Sequence, residues 1–309
     1  MLQYLCIARV PTALGIGIRR FTACWMNQES HVFQAWERQI CQQTCQYGTG
    51  SENPMLNSVK TTGSGYHPDK DSLRAEVWSL LKEQGVTIRD PFNHIPNFVN
   101  AEKAAEQLAT LPIWQRAKVI KCNPDSPQVP VRLRALQDGK RLYMAVPRLT
   151  NTRCFVELTA LDLQQRNIPL EEAAMAQKAL IYGRLVSFEQ MHPIDLVIVG
   201  CVAVTRNGGR TGKGAGFADL ELAMLKEFGL VQFDTPIVTT VHPLQIVGED
   251  CLPMQAHDWP LNWIITPDEV IETNTTYPSP IGLDWDTIHP EQYKKIPILR
   301  KLREQQICD

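Results

Sequence analysis

Apolar positions along this chain recur with two spacings, and the change from one to the other marks out its elements. Leu73, Val77, Leu80 and Leu81 form the stripe of a helix running from about Asp69 to Gln84. Asp69 or Asp71 caps it, and Gly85 ends it. A second helix is predicted at about Asn100 to Thr110, with Ala101, Ala104, Ala105 and Leu108 inward. Ala117 to Lys121 reads as a strand. The prolines at 124, 127 and 130 predict an extended loop, with Val131 to Leu136 a short helix or strand. Asp138-Gly139 is a turn and Arg141 to Val146 a strand, which makes a β-crossover-β unit. Residues 149–193 look irregular apart from a helix near Leu170 to Ala179. Ile194 to Val199 is short, β-branched and apolar, the pattern of a buried strand. Strands follow at Pro236 to Val241, Leu244 to Val247 and Leu261 to Thr266, and Glu291 to Gln306 is partly helical, with Ile296, Ile298, Leu299 and Leu302 apolar. The alternation predicts an α/β fold, a mostly parallel sheet flanked by helices.

The stretch after Val199 changes character. Asn207-Gly208-Gly209 makes a turn, and Arg210, Gly212, Lys213, Gly214 and Gly216 follow. From Phe217 the pattern is helical, with Leu222 and Leu225 on one face and Glu221 and Lys226 off it. Glycines let a backbone approach an anion and aim successive N–H groups at it. A helix start adds partial positive charge. Arg210 and Lys213 add full charges, and Asp219 stands where the Mg²⁺ of a polyphosphate would need a carboxylate. On pattern alone the stretch is either a polyphosphate loop or a basic surface turn with Asp219 as a helix cap. The GxGxG spacing is neither a Walker loop nor a dinucleotide fingerprint. Lys70 and Arg74, four apart, share one face of the first helix, either as a solvated basic face or as ligand contacts. Arg148 follows a strand, where open sheets bind ligands; it is either an anion contact or a surface arginine. His94, in the proline-flanked segment Pro91 to Phe98, reads as a hydrogen-bonded structural histidine, with a ligand contact as the alternative.

Composition narrows the setting. Of 309 residues 44% are apolar and 21% charged, ample for a large core. A net charge of −2 gives no global field for nucleic acid, and none is expected as a partner. Nine cysteines without a regular frame point to free thiols in a reducing, cytoplasmic setting. No run reaches the length of a membrane span. Residues 1–68 carry turn and linker composition, with a short helix possible at His31 to Gln43 and two thiols, Cys41 and Cys45, four apart. They read as a poorly ordered extension, upstream of one domain at 69–309. The first 28 residues hold no acid, yet lack the cleavage and serine signals of a presequence.

Three separated motifs carry a resemblance. Arg210 to Asp219, RTGKGAGFAD, resembles the ATP loop of the 5-formyltetrahydrofolate cyclo-ligase family, Arg-x-Gly-x-Gly-x-Gly-Tyr-Tyr-Asp. Lys70 and Arg74 match its Lys-x-x-x-Arg, and Asp258, in HD-x-x-x-N before Thr266, matches its late Asp motif. The likeness spans residues 69 to about 270. With the methenyltetrahydrofolate synthetase domain-containing subfamily it extends to HIPNF (94–98), VRLRAL, GFADLE and KKIPILRKLRE. Some of those relatives append an RNA-recognition domain; no aromatic RNP-type strand follows here. The resemblance implies the NagB/RpiA/CoA transferase-like fold and an ATP- and Mg²⁺-dependent reaction on a reduced folate. In it the formyl oxygen of 5-formyltetrahydrofolate attacks the γ-phosphate, N10 closes the ring and phosphate leaves, giving 5,10-methenyltetrahydrofolate and ADP. It places the nucleotide on Lys70, Arg74 and the run Arg210-Thr211-Gly212-Lys213-Gly214-Ala215-Gly216-Phe217-Ala218. Arg210 and Lys213 serve the transferred phosphoryl group, and Asp219 and Asp258 the metal.

Four positions depart from that pattern. Ala218 replaces the second Tyr, Ala215 stands where the family often has Lys, and Asn262 replaces the later Asp. No glutamate follows the first strand; from Asn123 to Gln128 only Asp125 is acidic. The phosphate half is thus better kept than the pterin half. The alternative is a diverged nucleotide- or folate-binding protein without ring closure.

Overall fold

The computed structural model describes residues 67–149 and 152–308, with side chains to 304. The sequence readings on residues 1–66, including His31 to Gln43, Cys41 and Cys45, lie outside the described residues.

Helix α1, Pro68–Glu83, opens on a proline in its first turn, where the missing N–H has no intrahelical partner to lose. Gly85, at φ +63°, follows its end in the left-handed region. Its buried face carries Leu73, Val77 and Leu81 and, unlike a solvated basic face, also Lys70 and Arg74, each 2% exposed. Helix α2, Ala101–Thr110, buries the predicted alanines and Leu108. Helix α3, Val129–Gln137, begins earlier than the proline spacing suggests, because Pro130 sits in its first turn.

The main sheet has eight strands: β1 Val119–Cys122, β2 Arg141–Ala145, β3 Phe155–Leu158, β4 Arg184–Val186, β5 Leu196–Val199, β8 Ile237–Thr240, β10 Trp263–Ile265 and β11 Val270–Glu272. Their order is β11-β10-β8-β5-β1-β2-β3-β4. From β10 to β2 every pairing is parallel. The flanking pairs β10/β11, β2/β3 and β3/β4 are antiparallel. The segment read as irregular therefore holds two strands, with helical turns at Ala160–Gln165, Leu170–Ala173 and Ala176–Tyr182 between them. Strand β3 is buried at every position and β4 has three residues, so neither shows a two-residue alternation.

Both faces of the sheet are covered. In β5, Val197 and Val199 join one apolar cluster while Leu196 and Ile198 join the other. The cluster with Val197 takes helix α4, Phe217–Glu227, through Leu222, Met224 and Leu225. The other takes α2 and α3. A second sheet of three short strands, β6 Ala203–Thr205, β7 Arg210–Thr211 and β9 Ile246–Val247, stands apart. Arg210 and Thr211 thus belong to a hairpin strand rather than to the loop, and Ile246–Val247 pairs in this small sheet. Alpha1 packs on it through Leu73, Val77 and Leu81. The chain finishes with α5, Pro290–Lys295, and α6, Pro297–Cys308, broken where Pro297 cannot continue the first helix. Ile296, Ile298 and Leu299 are buried in the α4-side cluster.

Candidate functional site

The chain winds from β1 to β2, β3 and β4 on one side, then returns to β5 on the other side of β1. The sheet therefore switches direction between β1 and β5, and open α/β sheets bind ligands beyond the carboxyl ends of strands at such a switch. A cleft of about 490 Å³ lies there. The segments after β1 (Asn123 to Asp125), β2 (Val146 to Leu149) and β5 (Gly200) line it, opposite the glycine run. Every sequence-predicted site residue, from Lys70 and Arg74 through Arg210–Asp219 to Asp258, lines this one cleft.

The glycine run bends through two left-handed residues, Gly214 at φ +97° and Gly216 at φ +67°. Gly216 is the N-cap of α4 and brings no side chain to the helix end. No backbone acceptor among the described residues takes the amides of Lys213, Gly214, Ala215 or Gly216. A helix start preceded by amides without a backbone acceptor among the described residues, on residues that line the cleft, is a fit for phosphate oxygens.

The predicted cations divide into two kinds. Arg210 is buried, and its Nε donates to the Trp259 carbonyl at 2.7 Å while its terminal nitrogen pairs with Asp219. Burial works to lower the Arg210 guanidinium; Asp219, Cys201 and Asp258 outweigh it and hold it above its ordinary value. Arg74 donates from Nε to the Gly212 carbonyl at 2.7 Å and from Nη2 to Thr211 Oγ1 at 2.9 Å, and it pairs with Asp71. Burial pushes Arg74 down, opposed by Asp71. Lys70 pairs with Asp258 across the fold. Lys213 alone of these is exposed (44%), with its ammonium 3.0 Å from Asp125 Oδ1. So Arg74 and Arg210 brace the loop, and Lys213 is the cation able to move.

The two predicted metal carboxylates are engaged in the same web. Asp219 also accepts the Trp259 N–H at 3.0 Å, and Asp258 accepts the Gln255 N–H at 2.7 Å. Among the described residues no group of three or more His, Cys, Asp or Glu could cage an ion. One or two carboxylates beside a phosphate site are the donor set that suits Mg²⁺ arriving with a nucleotide.

Sequence reasoning missed three participants. Glu221 was placed off the buried face of α4, yet it is 4% exposed, lines the cleft and pairs with Lys121 from β1. Burial raises its carboxyl, against the pull of Lys121. A lysine inside the apolar run VIKC was the available signal, since a fully buried lysine needs a partner. Gln292 of α5 donates to the Ala215 carbonyl at 3.0 Å; nothing in its helical repeat marks that contact. His94 differs from expectation: its imidazole is exposed on the cleft rim, and its backbone carbonyl takes the Trp78 indole N–H at 3.0 Å. Arg148 is exposed on the same rim, at φ +59°, followed by Leu149 at φ +54°.

Comparison with known proteins adds three findings. A sequence model of the 5-formyltetrahydrofolate cyclo-ligase family matches residues 66–267. The chain is 38% identical to the methenyltetrahydrofolate synthase domain-containing protein of Bos taurus over 77% of its own length and 62% of that relative's. With the Homo sapiens protein of the same description it is 36% identical over the same shares. The chain thus spans less than two thirds of these relatives. Among solved structures, Aquifex aeolicus 5,10-methenyltetrahydrofolate synthetase is 17% identical with a TM-score of 0.42, covering 65% of this chain and 93% of that one. The synthetase from Mycoplasma pneumoniae is 12% identical with a TM-score of 0.38, over 64% and 98%.

Proposed function

This chain belongs to the 5-formyltetrahydrofolate cyclo-ligase family, and we propose that its cleft converts 5-formyltetrahydrofolate to 5,10-methenyltetrahydrofolate with ATP. The observation that carries this reading is the start of α4 without a side-chain cap, preceded by residues that line the cleft beside Lys213 and whose amides have no backbone acceptor among the described residues. Phosphoryl transfer asks a protein for position and charge neutralisation more than for a nucleophile, and those are the resources found here.

The amides of residues 213–216 hold the phosphate oxygens. Lys213 leaves Asp125 and follows the charge onto the transferred phosphoryl group. Arg74 and Arg210 fix the two ends of the loop from beneath. Asp219 and Asp258 supply the carboxylates for Mg²⁺, which when bound neutralises the phosphates. Phe217, half-buried at the cleft wall, offers a ring face to the folate. The formyl oxygen takes the γ-phosphoryl group and ADP departs; N10 then attacks the formyl carbon, its proton passes to solvent, and the C–O bond breaks as phosphate leaves. The nucleotide, the reduced folate and Mg²⁺ are thus the small-molecule partners.

A second reading, binding without ring closure, is favoured by one observation: Ala218 brings neither a ring nor a hydroxyl to the cleft where the family pattern has tyrosine. An absorbance assay for methenyltetrahydrofolate, run with and without ATP, separates the two. Absorbance that grows only with Mg-ATP supports the first reading. A protein that binds both ligands and yields no product supports the second.

A further inference from the structure

The glycine run is pinned at two carbonyls, and one pin comes from outside the segment the family shares. Arg74 takes the Gly212 carbonyl. Gln292 takes the Ala215 carbonyl, and Gln292 lies beyond residue 267, where the family match ends. A peptide unit is planar and trans here, so fixing a C=O in one direction fixes the next N–H in the opposite one. Holding the carbonyls of Gly212 and Ala215 therefore sets the aim of the Lys213 and Gly216 amides. Gly214 and Gly216, both left-handed, flank Ala215, so each of the two peptide planes around Ala215 has a residue without a side chain at one end and meets less resistance to a flip. Something external has to choose the orientation.

Gln292 is built for that task. It is 3% exposed. Its Oε1 accepts the His289 N–H at 3.1 Å, closing a capping box at the start of α5, while its Nε2 points to the loop. The helix is anchored in turn by Ile296, Ile298 and Leu299 in the core cluster. We propose that Gln292 is a positioning residue of the nucleotide site, and that the C-terminal segment 268–304 serves as a strap that fixes the amides of residues 213–216 for phosphate. The proposal rests on the nucleotide reading above for its purpose, and on the Gln292 to Ala215 hydrogen bond for its mechanics.

The test uses the full chain. Gln292→Glu keeps the size of the side chain and the capping acceptor and replaces the donor with a charged oxygen. Gln292→Met removes the donor without adding charge, and takes the capping acceptor with it; a change common to both variants belongs to the lost donor. Lys301→Ala is the control: it cuts the segment's exposed ion pair with Glu189, 2.7 Å apart, and touches nothing in the loop. Losing one hydrogen bond and leaving a carbonyl unpaired predicts, for both Gln292 variants, backbone NMR order parameters at residues 213–216 that fall from about 0.85 to below about 0.6, and a Kd for Mg-ATP about tenfold weaker. Affinity for 5-formyltetrahydrofolate stays unchanged, and Lys301→Ala matches wild type in all three measurements. Wild-type order parameters in either Gln292 variant would overturn the proposal. So would an equal change in Lys301→Ala, because the segment would then act only through general stability. If the wild-type protein failed to bind Mg-ATP, the nucleotide reading would fall, while the loop's order parameters would still decide the clamp.

Discussion

At the scale of single residues, the cleft separates charges that build the site from charges that can act in it. Lys70, Arg74, Arg210 and Lys121 are buried and each faces a carboxylate; Lys213 is exposed and reaches its own from the surface. Removing a member of a buried pair leaves a bare charge in a low dielectric, at a cost of about 3 kcal/mol or more. Asp219→Asn should therefore do two things: lower the denaturant midpoint, because Arg210 loses its counter-charge, and abolish the Mg²⁺ dependence of ATP binding. A variant that unfolds like wild type and still needs Mg²⁺ would contradict both roles. Lys213→Ala should behave in the opposite way. Its ammonium is exposed and the pair is screened from that side, so it contributes little to stability and the melting curve moves little. A charge-assisted contact to phosphate is worth about 2 kcal/mol, or roughly thirtyfold in Kd. Calorimetry with ATP and with 5-formyltetrahydrofolate should show that loss for the nucleotide alone.

At the scale of elements, the C-terminal helices are part of the core rather than an appendage. Leu299 is fully buried, so Leu299→Ala should cost about 2–5 kcal/mol in denaturant unfolding. Their outer tether can be read by titration. The hydrogen bond from Lys301, with help from Ser187, holds the Glu189 carboxyl down to about 2. A depressed carboxylate adds stability above its unfolded value, and that stability is lost as pH falls toward the folded one. NMR titration of Lys301→Ala should return Glu189 most of the way to the ordinary glutamate value of about 4.3; a group still titrating near 2 would show that the lysine is not the cause. The elements also show how far the sequence could be read. The stripe of α1, the parallel strands and the start of α4 were legible, because spacing and glycine placement are local facts. Strands β3, β4 and β7 were not, being two to four residues long with no alternation to see. Nor were the pairings of Lys121 with Glu221 or Lys70 with Asp258. Each joins residues far apart in the chain, and which charges are buried is settled by packing, not by neighbours in sequence.

At the scale of the whole molecule, those long-range pairings decide what ligand binding does to stability. The cleft draws on α1, three strands of the main sheet, the hairpin strand β7 and the loop before β10, and through Ala215 it is tied to α5. Lys70 and Asp258 are 188 residues apart, and Arg74 and Gly212 are 138 apart. No single element can come away without dismantling the site. Occupancy should therefore stabilise the domain as one unit rather than quieting one loop. A ligand at about 100 times its Kd adds about 2.7 kcal/mol, and for a domain of this size each kcal/mol moves the melting point by about 2–4 °C. Mg-ATP at that excess should raise the melting temperature by about 5–10 °C, in one transition seen equally by tryptophan fluorescence and by circular dichroism. A shift in one signal only, or two separate transitions, would mean that the cleft belongs to a part of the molecule that unfolds alone, and the view of one domain closed around one site would fail.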